Sequence, residues 1–406
     1  MTDRPPPVDG PSSEGSAATA SAGSLLFVAT VAHTIDHFLI PYALHFRARG
    51  WRVDAAANGA VDDRVLQGAF DHVYELPLSR SILDVGGLLR GLRAMSSVLE
   101  SRPDIVHVHT PIAAFIARLG VRRLPAERRP MVAYTAHGFH FYRGGSTTTN
   151  AVFLTAERVA GRWTDRLVVM NDEDEEAARR HRIVATGRLV RMPGIGIDTA
   201  MYARSRIDPS ELAATRRAHD VEAGVPLFVA VGELSPRKRM ADVVSAFALV
   251  RHPGARLLIA GEGHERAHLG ELIRKLGLGG RVELVGNVAD VRPLVASATG
   301  LLLASDREGL ARVIMEAMSL EVPVIASTAR GNAELVGRDS GFVVEVGDVR
   351  ALADRMDWLI EHPEEALAMG RHGRARMVEH YDLARLLTLH EELYSSMLSE
   401  RGHEEH

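Results

Sequence analysis

The sequence predicts an α/β protein built as two Rossmann-like domains facing each other across a cleft. Short apolar runs alternate with helical stretches from residue 24 onward, the pattern of a parallel sheet with crossover helices. The plan occurs twice, on either side of a stretch of mixed signals near 193–225. At 406 residues the chain is long enough to give each half a full core.

The first half opens on the buried-strand run 24–31. The helical stretch "LIPYALHFRARG" follows, ends at Gly50 and leads into the strand "WRVDAAAN". "AHTIDHF" (32–38) is expected to be a loop between them. "DIVHVHT" (104–110), "MVAYTAH" (131–137) and "DRLVVMN" (165–171) are further strands, the last running into an acidic helix start. In the second half "PLFVAVGEL" (226–234), "ARLLIAGEG" (255–263), "RVELVGNV" (281–288), "GLLLASD" (300–306) and "VPVIAST" (322–328) are strands. A terminal helix is expected over Tyr381–Leu398. The ligand crevice of such folds lies at the carboxyl ends of the strands.

Composition excludes several classes. The chain has no cysteine, so disulfides, thiolate catalysis and cysteine–zinc sites are out. Apolar runs such as "SLLFVATVA" fall well short of the roughly 20 residues that span a bilayer. Residues 1–23, rich in Pro, Ser, Gly and Ala and carrying Asp3 and Asp9, read as a disordered tail and not as a signal peptide. Net charge is −4, against nucleic-acid binding, but it is uneven: residues 25–200 hold 22 Arg and 18 acids, residues 201–406 hold 25 bases and 31 acids. Five arginines against one glutamate crowd 118–129, a patch able to face an anionic surface.

The strand ends carry the chemistry. "DREGLARVIMEAM" (306–318) sets Glu308 and Glu316 eight residues apart, and Glu316 stands among Val313, Ile314, Met315 and Met318. A buried carboxylate needs a partner, within the protein or in a ligand. On a continuous helix the two would stand roughly 12 Å apart. That is too far for the pair of a double-displacement glycosidase, which needs about 5–5.5 Å, but suits an elongated ligand held at both ends. Gly309, Leu310 and Ala311 would present the free N–H groups of a helix start, a diphosphate seat. The alternative is an acid favouring the helix dipole plus a structural glutamate. With 46 arginines and only 2 lysines in the chain, Lys238 in "SPRKRM" is an unusual choice that fits a phosphate, with Arg237 beside it able to share the role. An ordinary solvated charge is the alternative there.

These residues resemble a family. "EGLARVIMEAMSLEVPVIAS" with "RGNAELV" (330–336), "VGELSPRKRM" (231–240), "LLIAGEG", "VELVGNV" (282–288) and "TAHGFHFYRG" (135–144) are together similar to the retaining glycosyltransferases of the GT-B fold, whose signature is E-x7-E. The likeness spans about 24–399 and is nearest to enzymes of bacterial capsule, exopolysaccharide and lipid-linked oligosaccharide assembly. It implies an acceptor-side domain over 24–200, a nucleotide-sugar domain over 201–380, and the helix 381–399 packing back on the first. Glu316 would bind ribose hydroxyls and Glu308 sugar hydroxyls. Backbone at Leu310 and Ala311 would meet the phosphates, Lys238 would neutralise the leaving diphosphate, and His137, before Gly138, would touch the donor sugar. Gly286, Asn287 and Val288 would recognise uracil. Glu233, where many relatives carry arginine, shifts the phosphate clamp toward Lys238 and Arg237. Catalytic roles thus fall to His137, Lys238 and Glu308, with no metal or other cofactor expected.

Asp172 and Asp174 in "NDEDEE" mimic a metal-binding D-x-D, but Asn171 followed by acids is a good helix start. The leading function is transfer of a sugar from a nucleotide diphosphate, UDP in the first instance, to an acceptor that could be lipid-linked. A UDP-sugar 2-epimerase-like isomerase and a non-catalytic nucleotide-sugar scaffold are the alternatives. The expected location is cytoplasmic, peripheral to the inner face of the membrane. Anionic lipid would be held by the 118–129 patch and by the helix of "SILDVGGLLRGLRAM" (81–95), with Arg90 and Arg93 near its apolar stripe. Burial of that stripe against the sheet is the competing possibility.

Overall fold

The computed structural model describes residues 22–79, 84–142 and 145–404. The expected tail falls outside the described residues except for Ala22, whose N–H donates to Gly50 O (3.2 Å), and Gly23. The start of the expected helix 81–95 also falls outside them; the helix itself runs Val85–Val98.

Seven parallel strands form the first sheet: β1 (Ser24–Val31), β2 (Arg52–Asn58), β3 (His72–Glu75), β4 (Ile105–His109), β5 (Met131–Ala136), β6 (Arg166–Val169) and β7 (Leu189–Arg191). Their order is β3-β2-β1-β4-β5-β6-β7. Six form the second: β8 (Leu227–Val231), β9 (Arg256–Ala260), β10 (Val282–Gly286), β11 (Gly300–Leu303), β12 (Val324–Ser327) and β13 (Gly341–Val344), in the order β10-β9-β8-β11-β12-β13. Helices cover both faces, which is why β1 and β8 are continuous apolar runs and not alternating ones. Strand order reverses between β1 and β4 and again between β8 and β11. A crevice opens at the carboxyl ends of those pairs.

"AHTIDHF" is not a loop but the helix Ala32–Phe38, followed directly by the helix Ile40–Arg47. Only Ile35 of the first is fully buried, so its one turn of apolar pattern is too short to announce a helix. The strands β3, β7 and β13 were not expected. They have four, three and four residues and lie at or near sheet edges.

The chain crosses between the sheets twice, and the crossings meet. Ile197 pairs with Asp382, and Gly196 packs so closely that a Cβ there would lie 2.9 Å from Leu383 Cα. Beyond this point the last helix, Leu383–Glu404, returns to the first sheet. There Leu393, Tyr394 and Met397 complete the apolar cluster of Leu25, Phe27 and Phe46.

Arg118, expected in a surface patch, is buried. Its guanidinium donates to Glu157 Oε2 (3.0 Å) and Thr164 Oγ1 (3.3 Å) and stacks on Tyr134, whose hydroxyl donates to Glu157 Oε1 (2.9 Å). Of the remaining arginines, Arg122 and Arg123 end the helix Pro111–Arg123, and Arg128 and Arg129 lie between it and β5. They therefore stand at the amino edge of the sheet, opposite the crevice.

Candidate active site

The loop after β11 does not begin as a helix at Glu308. The helix is Arg312–Ser319, with Ala311 as its N-cap, so the separation expected for a continuous helix does not apply to Glu308 and Glu316. The reason is a contact between the domains: Gly309 is packed so closely on the first domain that a Cβ would sit 2.0 Å from His137 O. Gly138 completes the approach at φ +106°, a conformation that favours glycine, with Gly309 Cα 3.3 Å from its own virtual Cβ. The amide seat survives in another form. Among the described residues no protein acceptor takes the N–H groups of Gly309, Leu310, Ala311, Arg312 or Val313. Five successive free donors next to a helix start suit an anion.

Lys238 closes the short turn Pro236–Lys238 after β8, and Arg239 behind it adopts the left-handed conformation. Lys238 Nζ donates to Glu308 Oε1 at 2.7 Å, and Arg237 Nη1 approaches the same oxygen at 3.4 Å while donating to Arg307 O (2.9 Å). Two residues 70 apart in sequence, each singled out independently, are thus in contact. A cavity of about 200 Å³ between the domains is lined by His137, Gly138, His140, Arg237, Glu308 and Gly309, together with Phe139, Arg307 and Arg330.

Glu316 is buried. Its Oε1 accepts from Tyr202 Oη (3.0 Å) and from Arg312 Nε (2.9 Å). Burial nevertheless pushes its pKa above the ordinary carboxylate range, against the pull of Arg312 and Tyr202. Because the folded state holds this proton more tightly than the unfolded one, the ionised form costs stability above that pKa, and the cost fades as pH falls into the ordinary carboxylate range. Glu316→Gln is therefore expected to melt no lower than the native apoprotein at neutral pH and, on the ribose-binding role that the family resemblance implies, to bind UDP about 10–100-fold more weakly through loss of a charge-assisted acceptor. Thermal melts and calorimetry check both halves. Undiminished UDP binding would make Glu316 structural.

His137 follows β5. Its ring is stacked by Phe38 (centroids 6.0 Å apart), and its Nε2 lies 2.9 Å from His109 Nδ1. Burial lowers its pKa to about 4, so the imidazole is neutral at neutral pH.

Asp172 and Asp174 do not converge. The Asn171 side chain caps the helix by accepting from Asp174 N–H (2.8 Å), and Asp172 is exposed beside Arg191 (3.2 Å). Asp174 is buried against Arg330, and its Oδ1 also accepts from Phe139 N–H (3.2 Å). Among the described residues no cluster of His, Asp or Glu is arranged to hold a metal ion.

Gly286, Asn287 and Val288 stand at the carboxyl end of β10, an edge strand. They do not line the cavity, nor do Leu310, Ala311 or Glu316. Sequence reading missed Tyr202, Arg312 and Arg330. Arg312 sits inside the quoted motif and reaches across the crevice, Nη1 donating to His37 O at 2.6 Å. Glu334, in "RGNAELV", likewise accepts from Asp172 N–H (2.8 Å) and Arg191 (2.6 Å) of the first domain.

Comparison with known proteins places the chain in a family and matches its fold. The profile described as "Glycosyl transferase 4-like domain" matches residues 41–194, and "Glycosyl transferases group 1" matches 213–376. The chain is 31% identical to the putative glycosyltransferase EpsD of Bacillus subtilis, over 92% of this chain and 97% of that one. It is 23% identical to the UDP-Gal:alpha-D-GlcNAc-diphosphoundecaprenol alpha-1,3-galactosyltransferase of Escherichia coli, over 77% of this chain and 81% of that one. The crystal structure of Anabaena HepE in complex with UDP shares the fold, with a TM-score of 0.77 and 21% identity over 92% of this chain and 100% of that one.

Proposed function

This chain belongs to the group 1 glycosyl transferases, and from that premise we propose that it moves a hexosyl or N-acetylhexosaminyl residue from UDP to an acceptor hydroxyl with retention of anomeric configuration. The observation that carries the reading is the Lys238–Glu308 contact, next in the chain to Gly309, the first of the five free amides. The amides and Lys238 would take the diphosphate, Glu308 and His137 the sugar, and Glu316 with Tyr202 the ribose. Gly286 to Val288 would meet the base. Names of relatives support UDP as carrier and a lipid-linked acceptor in surface polysaccharide or glycolipid assembly.

We expect transfer without a divalent ion, because the charge of departing UDP is met by Lys238, Arg237 and backbone amides. Asp174 is already committed to Arg330 and Asn171. The test is incubation of UDP-sugars with lipid-diphosphate acceptors in excess EDTA, with product anomers read by NMR. Retained configuration and undiminished rate are expected. An inverted product, or activity that returns only with manganese, would sink the reading.

The membrane-facing surface we propose differs from the 118–129 patch, which lies at the edge opposite the crevice. Along the helix Val85–Val98 the stripe of Leu92, Met95 and Val98 is buried in the core, yet Val85 (63% exposed) and Leu89 (53% exposed) project from its first turns at the crevice edge, with Arg90 and Arg93 exposed beside them. No helix among the described residues is long and apolar enough to cross a membrane. Docking through this turn at the cytoplasmic leaflet would present the crevice to a lipid-linked acceptor. Vesicle sedimentation should show binding to anionic but not neutral liposomes. It should be lost in Val85→Ser/Leu89→Ser and kept when Arg122, Arg123, Arg128 and Arg129 become Ser; the opposite pattern overturns the assignment.

A further inference from the structure

Behind His137 lies a second histidine that no role so far described uses. His109 ends β4 and is 2% exposed. Its Nδ1 lies 2.9 Å from His137 Nε2, while its Nε2 is buried with no hydrogen-bond partner. The neighbouring His107 cannot serve, because its Nδ1 pairs with Tyr394 Oη (2.5 Å) and its Nε2 with Thr135 Oγ1 (2.7 Å). Phe27 packs on the other side of His109 (centroids 5.8 Å apart).

Resting on the reading that His137 meets the donor sugar, we propose that His109 is a positioning residue. Its Nδ1–H donates to His137 Nε2 and locks His137 in the tautomer that carries its proton on Nδ1, as a hydrogen-bond donor for the cleft.

Proton count fixes the direction of this hydrogen bond. Burial holds both rings neutral, so each carries a single N–H, and the 2.9 Å contact requires one to donate and the other to accept. If His137 donated, His109 would carry its proton on Nε2, a buried N–H without an acceptor. If His109 donates, only a bare lone pair is left at Nε2. Orphaned buried N–H groups are the rarer and costlier case. His137, which lines the cavity, then has Nδ1–H as its remaining polar atom, suited to a sugar hydroxyl oxygen. An imidazole with its rear nitrogen fixed by a hydrogen bond is the usual way a tautomer is set.

The test is long-range proton–nitrogen NMR on protein labelled with ¹⁵N-histidine, without substrate, with His137 assigned by its loss in His137→Ala. The native spectrum should show a protonated, pyrrole-type Nδ1 and a pyridine-type Nε2 on His137. His109→Leu should move His137 toward the Nε2–H form and lower kcat roughly 10–100-fold with donor KM little changed, the scale seen when the outer partner of a functional imidazole is lost. His109→Asn, which returns an N–H near the Nδ1 position, should restore the native tautomer and most of kcat. Near-UV circular dichroism confirms that both variants are folded. A native His137 protonated on Nε2, or a tautomer unchanged in His109→Leu, overturns the proposal. The spectrum tests the tether alone, whereas normal transfer by His137→Ala would strike the donor-sugar role.

Discussion

Lys238→Ala should lower kcat by about 10²–10³-fold while changing the affinity for UDP far less. In the proposed reaction, charge on the departing diphosphate grows in the transition state, so an ammonium proposed to stand beside it would act mainly there. The structure adds a reason for its placement. Lys238 is only 13% exposed, and in the free enzyme it is held by Glu308 at 2.7 Å, with its stem near Gly232. Removing it leaves the Glu308 carboxylate, 10% exposed, with Arg237 at 3.4 Å as its remaining cation. Arg237→Ala alone should therefore have a modest effect, and the double variant should lose more than the two single losses predict. Steady-state kinetics of nucleotide release, set beside calorimetry with UDP, separates the possibilities. A rise in KM with unchanged kcat would make Lys238 a binder of ground state and transition state alike.

Asp174→Ala should destabilise the protein by about 3–5 kcal/mol, because it leaves the buried Arg330 guanidinium with only the exposed Glu173 carboxylate, 3.8 Å from its Nε, as counter-charge. Arg330 is 8% exposed, and its other contacts are Glu173 Oε1 (3.8 Å), Phe139 O (3.2 Å) and the face of the Tyr142 ring. Burial raises the Asp174 pKa even though Arg330 pulls it down, which marks the ion pair as costly to assemble. What it secures is position: Asp174, on the first domain, and Arg330, on the second, grip opposite ends of the Phe139 peptide, two residues beyond His137. Asp174→Leu with Arg330→Met should recover most of the stability, since apolar replacements of buried pairs are often neutral. Its transfer rate should stay low because the loop has lost its grip. Denaturant melts and kinetics on both variants test this, and full activity in the apolar pair would show the grip to be dispensable.

How much of this was legible follows from where each signal resides. The strands β1, β4, β5 and β8–β12 announce themselves because they are predominantly apolar runs of four to eight residues. The strands β3, β7 and β13 are too short to carry a pattern. Glu308, Glu316 and Lys238 stood out because their residue type conflicts with its surroundings or with the composition of the chain. Arg330 and Tyr202 look ordinary in sequence, and their meaning lies in partners 156 and 114 residues away. The extra turn at Glu308 was misread as helix since nothing local reveals that Gly309 is pressed against another domain's carbonyl. In the sequence His109 is one residue of a strand run, and only the fold shows the ring it touches.

The return of the last helix to the first sheet has a consequence for how the protein is made. The strands of that sheet have all been synthesised by about residue 200, yet Leu25, Phe27 and Phe46 await Leu393, Tyr394 and Met397. At roughly 5–20 residues per second, about 200 further residues take on the order of 10–40 s. The half synthesised first is thus finished last, and for that interval it waits with an open apolar seam while its neighbour folds.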